Sequence, residues 1–186
     1  MRETKSTMRL VWSVAGLNIG WFACVLGAAR NVHWLSVLVV LMLGMIHLVI
    51  IGRARILPAI LLMLASLVIG LSFDSVLILV GAYKPNRWLM PYPLTTIWLL
   101  MLWVNFSLAL NESLQWLQEH LLVAGILGSL FGPAAYLAAS RLEAIEIETP
   151  AYLGLLPICI AWLIAMPLMS LIAKTLYRRT YRFRNR

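Results

Sequence analysis

The chain has 186 residues, 62% of them hydrophobic and 12% charged, with a net charge of +8 and a mean hydropathy of +0.90. Soluble domains carry about a quarter charged residues, so this composition excludes a soluble enzyme and indicates a polytopic membrane protein. At roughly 20 apolar residues per transmembrane helix, the length accommodates about six helices and leaves no room for a soluble catalytic domain.

The first apolar segment, Leu10–Ala29, follows the basic residues Arg2, Lys5 and Arg9. The arrangement is reminiscent of a signal peptide, but the apolar part exceeds a typical signal core and further spans follow, so it reads as a retained helix. Within it, "GLNIG" (Gly16–Gly20) has the small-xxx-small spacing that permits close helix approach. The second span, Val32–Ile51, carries His47 shortly before the loop "GRAR". The third, Ile56–Ala82, carries Asp74 towards its far end and is long enough to tilt or to finish in a turn near Ser75. The connector Gly81–Thr96 contains Pro85, Pro91 and Pro93, which forbid a continuous helix. Thr95 or Thr96 is placed to cap the fourth helix.

The fourth span, Leu94–Gln115, is the unusual one, because Asn105, Ser107, Asn111, Glu112, Ser113 and Gln115 interrupt an apolar run. If the helix is continuous, Asn105 lies ~18 Å deep at 1.5 Å per residue, and Glu112 falls two turns later on the face shared by Trp98 and Asn105. Ser107 and Asn111 then form a second polar stripe. Asn111-Glu112-Ser113 matches a glycosylation sequon, but within a span on the cytoplasmic half it does not serve as one. The fifth span, Leu121–Ser140, includes "GSLFG" (Gly128–Gly132) and Pro133, and is followed by Arg141. A loop bearing Glu143, Glu146 and Glu148 leads to the sixth span, Pro150–Ala173, which Pro157 and Pro167 interrupt. Each proline frees a carbonyl that needs a new partner or water.

Eleven of the fifteen Lys and Arg residues lie on one side of these spans, which places both termini in the cytoplasm. The tail Lys174–Arg186 interleaves Tyr177, Tyr181 and Phe183 with its cations. It reads either as an anionic-lipid contact, at about 1 kcal/mol per cation, or as an interfacial anchor. The basic residues flank membrane spans and no reader motif occurs, so nucleic acid is not an expected partner.

Charged groups at membrane depth face a protein interior or a water-filled cavity, since each costs about 2.5–3.5 kcal/mol at a helix centre. His47 and Glu112 fall at similar depth and are candidates for an acid/base pair or for a packing hydrogen bond. Asp74, Tyr136, Ser140 and Arg141 are expected around a second polar cavity with Asn105 as its floor. There Arg141 would hold a charged head group, or simply form an ion pair with Asp74. The candidate catalytic residues are therefore Glu112, Asp74 and His47, and the candidate substrate contacts are Asn105, Asn111, Tyr136, Ser140, Arg141 and Trp98.

The sequence contains no HExxH, GxSxG, Walker loop or Gly-rich dinucleotide turn. The three histidines lie at different depths, and Cys24 and Cys159 are isolated within apolar segments, where they read as packing residues. No metal site or cofactor is indicated. What remains is an intramembrane polar pocket that binds or modifies a lipid-like substrate, with a small-solute or proton-coupled transporter or channel, or a non-catalytic membrane partner subunit, as the alternatives. Expected partners are membrane lipids, a lipid-like substrate, and either other membrane proteins or further copies of the chain.

The stretches "FDS", "PYPLTTIWLLMLWVNFSLALNESLQWL" and "GPAAYLAASRLEA" resemble a small bacterial inner-membrane family, domain of unknown function 2878. The resemblance covers most of the chain and implies an all-α, multi-pass protein of the inner membrane. It also implies a setting beside cyclopropane-fatty-acid-synthase-like genes, which hints at lipid metabolism. It assigns no catalytic residues.

Overall fold

The computed structural model describes residues 2–87 and 89–184, and describes side chains only between residues 7 and 178. Arg2 and Lys5 of the leading basic segment, and the tail residues from Arg179 onward, therefore lie outside the described side chains. Among the described residues six α-helices run in chain order: α1 Arg2–Ala29, α2 His33–Ile51, α3 Arg53–Leu79, α4 Ile97–Leu110, α5 Leu121–Arg141 and α6 Ala151–Arg184. A short 3-10 turn, Gln115–Glu119, separates α4 from α5, and two three-residue strands, β1 Tyr83–Pro85 and β2 Ile145–Ile147, complete the fold. The chain is all-α in class, and five of its helices are long and apolar enough to cross a membrane.

The exception is α4. The expected span Leu94–Gln115 contributes a helix of only 14 residues, Ile97–Leu110. Beyond Leu110 the polar side chains compete with the helical backbone for hydrogen bonds. Gln118 Nε2 donates to the Leu110 carbonyl and to Asn111 Oδ1, at 2.8 Å each. Ser113 meets Ser13 of α1, with the two hydroxyl oxygens 2.9 Å apart. The amides of Glu112 and Leu114 both return to the Ala109 carbonyl. Asn111 and Ser113, held by Gln118 and Ser13, thus mark the end of the helix, and Gln118 satisfies the Leu110 carbonyl it exposes.

At the other end of α4, Thr96 occupies the N-cap position in an extended conformation, but its hydroxyl makes no capping bond. The preceding amide, that of Thr95, is instead taken by Ser75 Oγ of α3 at 3.1 Å. A shared device closes α1, α3 and α5. Each ends on a residue of positive φ, Asn31 at 62°, Gly81 at 75° and Glu143 at 63°. The next amide then reaches back five residues, Val32 to Gly27, Ala82 to Leu77 and Ala144 to Ala139. These are Schellman-type turns, which satisfy helix carbonyls and turn the chain sharply.

The turns after α3 and α5 deliver β1 and β2 to each other. The strands pair antiparallel, Tyr83 opposite Ile147, Lys84 opposite Glu146 and Pro85 opposite Ile145. This small sheet ties the two long connectors together over one end of the bundle. Gly154 of α6 sits beneath it, and a side chain there would overlap the Ala82 carbonyl and Ile147.

Short α4 occupies the middle, packed against α1, α2 and α3, while α5 packs chiefly on α6. Aromatic rings and glycines set the spacing. The indoles of Trp103 (α4) and Trp162 (α6) stack with centroids 5.1 Å apart and planes within 8° of parallel. Gly70 of α3 lies against Trp103, and Gly132 of α5 lies against Trp162. The glycines therefore act as flat seats for a stacked indole pair that joins four helices. Gly132→Val is expected to cost about 1–3 kcal/mol by overpacking. Gly44→Ala, whose new methyl would approach only the tip of Met63 at 4.0 Å, should lie close to wild type. Unfolding of the two variants in detergent, followed by circular dichroism, checks the difference.

Candidate functional site

Asp74 of α3 is completely buried. A carboxyl group removed from water needs hydrogen-bond partners on both oxygens, and three arrive from three different elements. Tyr83 of β1 donates its hydroxyl to Oδ1 at 2.9 Å. Tyr136 of α5 donates to the same oxygen. Trp103 Nε1 of α4 donates to Oδ2 at 2.7 Å. The two phenol rings meet edge to face, with centroids 5.1 Å apart. The expected closeness of Asp74 and Tyr136 is present, but the rest of that cavity differs. Arg141 is exposed and forms no ion pair with Asp74, and Ser140 is only half-buried at the end of α5. Tyrosines and a tryptophan meet the demand of the acid without a second charge.

His47 and Glu112 likewise have different surroundings from those anticipated. Because α4 ends at Leu110, Glu112 lies in the following turn and not on a helix face with Asn105. Its carboxylate faces Arg55 of α3 at 3.7 Å. That guanidinium also lies over the Tyr177 ring, 5.2 Å from its centroid. His47 is buried in α2, and among the described residues no hydrogen bond or ion pair joins it to Glu112. Asn111 is engaged by Gln118, and Ser107 donates to the carbonyl of Val104 within its own helix. Nearby, Glu119 takes Lys174 at 2.7 Å and Arg178 at 3.4 Å. The hydrogen bond from Lys174 holds the Glu119 carboxyl below its ordinary range.

Asn105 is the hinge between this polar framework and an apolar cavity. Its Nδ2 donates to the Leu17 carbonyl of α1 at 2.9 Å. Gly20 makes that approach possible, since a Cβ there would overlap the Asn105 carboxamide. The "GLNIG" pattern thus receives a side chain from α4 on α1.

Beside Asn105 lies a cavity of about 540 Å³. Pockets that hold small ligands are about 300–1,000 Å³. Its floor is α4, through Trp98, Leu102, Trp103 and Asn105. Its walls come from α1 and α5, with Trp162 and Met166 of α6 behind. Trp116, Phe131 and Asn18 stand exposed at its rim. Of the candidate substrate contacts, Trp98, Asn105 and Tyr136 line this cavity. Asn111, Ser140 and Arg141 do not, and neither do the candidate catalytic residues Asp74, Glu112 and His47.

Among the described residues the lining holds no Lys, Arg, His, Asp or Glu. Its polar side chains are Asn18 and Asn105, since the Tyr136 hydroxyl and the Trp103 indole nitrogen are turned to Asp74. Asn18 is the residue that sequence reasoning passed over. The signal was present, an amide at the midpoint of an apolar span, but it stood inside a glycine pattern that drew attention to packing alone. Among the described residues no group of three or more His, Cys, Asp or Glu is placed to hold a metal ion.

Trp103 and Tyr136 belong to both features. Each shows its ring to the cavity and its polar hydrogen to Asp74, so the acid holds two cavity walls in place. Asp74→Ala should lower stability by about 3 kcal/mol or more, because three donors lose their acceptor at about 1–3 kcal/mol each. Tyr83→Phe should cost about 1 kcal/mol. Ser72→Ala, at an exposed hydroxyl bonded only within α3, should stay within about 0.5 kcal/mol of wild type. Thermal unfolding of the three variants in one detergent checks the ranking.

No curated protein and no solved structure matches the chain. A family model described as a protein of unknown function, DUF2878, matches residues 10–168, and the chain belongs to that family.

Proposed function

We propose that this multi-pass membrane protein binds a lipid-like molecule in the cavity between α1, α4 and α5, admitting it sideways from the bilayer. The observation that carries the reading is the cavity itself, about 540 Å³ with an almost wholly apolar lining and an exposed rim. In water such a surface would collapse or recruit a partner. Among membrane-spanning helices its natural filling is an acyl or isoprenoid chain.

The site favours binding over acid/base catalysis. Both oxygens of Asp74 are occupied by donors, Glu112 faces Arg55, and neither side chain reaches the cavity. We read Asp74 as the anchor of the cavity walls, Glu112 as a tie between the α4–α5 connector and α3, and His47 as a packing residue of α2. Retention of a ligand also accommodates a partner protein that receives it. Both termini on the cytoplasmic side of the bacterial inner membrane, with α4 completing a sixth and shorter crossing, form part of the same proposal.

Ala135 of α5 lines the cavity and is only partly buried, so a larger side chain there fills space without disturbing the Asp74 cluster. Native mass spectrometry of the protein released from gentle detergent should show a lipid adduct on wild type, and Ala135→Phe should reduce that adduct severalfold at unchanged thermal stability. A wild-type spectrum without adduct, or equal adducts on both proteins, contradicts the proposal.

A further inference from the structure

The polar groups of the cavity are few, and their placement narrows the chemistry of the occupant. Asn18 stands at the midpoint of the span Thr7–Ala29, exposed at the cavity rim. Its Nδ2 donates once, to the Val14 carbonyl one turn back at 2.8 Å. The second amide hydrogen and Oδ1 have no partner among the described residues. Directly before it on α1, the Leu17 carbonyl is already committed to Asn105, which approaches over the Gly20 seat. The Asn105 Oδ1 is itself buried without a donor. Two carboxamides thus sit at neighbouring positions near mid-membrane with unmet hydrogen-bonding capacity, where there is no bulk water to meet it.

The requirements of this spot exclude several ligand classes. An anionic head group would bring a charge to a lining that contains no Lys, Arg or His among the described residues, and would set its oxygens against those of the amides. An ester or ketone carbonyl can accept the Asn18 amide hydrogen but leaves Oδ1 unmet. A hydroxyl group does both, donating to Oδ1 while accepting from Nδ2. A pure hydrocarbon does neither. We infer that the occupant of the cavity is a neutral, hydroxyl-bearing lipid whose hydroxyl is held by Asn18 at mid-membrane depth, with its apolar body against Trp98, Trp103, Phe131 and Trp162. This inference rests on the cavity being a lipid-binding site, and it adds the class of lipid.

Three photoreactive probes of one chain length test it, a diazirine-bearing long-chain alcohol, its methyl ether and the corresponding fatty acid. They are applied to the full-length protein in nanodiscs at a pH where the acid is ionised. The alcohol should label peptides of α1, α4 or α5 at least threefold more than the ether or the acid, and unlabelled alcohol should compete. Asn18→Leu should bring alcohol labelling down to the level of the ether, a fall of about threefold to tenfold for the loss of one or two hydrogen bonds. Asn18 is exposed, so this variant should insert and melt as wild type, and the comparison of probes on wild type holds regardless. Equal labelling by alcohol and ether, preferential labelling by the acid, or an unchanged Asn18→Leu overturns the hydroxyl assignment while leaving a lipid site intact. Failure of all three probes to label the cavity overturns the lipid-binding reading as well.

Discussion

A carboxyl group placed where no water reaches must be surrounded by donors, and in this protein that requirement organises one half of the bundle. Asp74 takes hydrogen bonds from β1, α4 and α5 while belonging to α3. Four elements far apart in sequence are thereby fixed to one pair of oxygen atoms. The pairing of β1 with β2 arises from the same constraint. Tyr83 reaches the acid only because the Schellman turn at Gly81 lays the strand across the end of α3, where β2 receives it. Interhelical hydrogen bonds in membranes average only about 0.6 kcal/mol each, so their number and convergence on a single group matter more than any one of them.

The cluster has a second face. Trp103 and Tyr136 turn their polar hydrogens to Asp74 and their rings to the cavity, and Trp103 is backed by Trp162. Indole stacking between the Gly70 and Gly132 seats spaces α3, α4, α6 and α5, and the cavity is the volume left over between α5 and α1. On the opposite side, Asn105 performs a comparable task with weaker means, one amide hydrogen to the α1 backbone over Gly20. Packing and binding thus draw on the same residues. That explains a lining rich in aromatic side chains and free of formal charge.

Much of the fold was legible in the sequence, because hydrocarbon permits few solutions. Apolar runs bounded by basic or proline-containing loops located the helices, and five emerge long enough to cross. The fourth was misjudged for a physical reason. Hydropathy registers "LNESLQW" as an interruption within a span, whereas Gln118, eight residues after Leu110, and Ser13, 100 residues before Ser113, convert it into a terminus. The convergence of Asp74 with Tyr136 could be argued from depth. Its remaining partners could not, since Tyr83 comes from a connector and Trp103 is one apolar residue within an apolar run. Arg141 was the obvious counter-charge by electrostatics alone, yet three neutral donors met the need at lower desolvation cost. Asn18 shows the opposite failure, a polar residue noticed only for the glycines on either side of it.

Tyr83 and Trp103 are coupled through one buried acid and do not act as independent contacts. A double-mutant cycle of Tyr83→Phe and Trp103→Phe, measured by equilibrium unfolding in mixed micelles, addresses it directly. The two residues bond opposite oxygens of Asp74, so a coupling energy of at least about 0.5 kcal/mol is expected, which disappears when the cycle is repeated in an Asp74→Ala background. Strict additivity in the native background, or coupling that persists without Asp74, would contradict it.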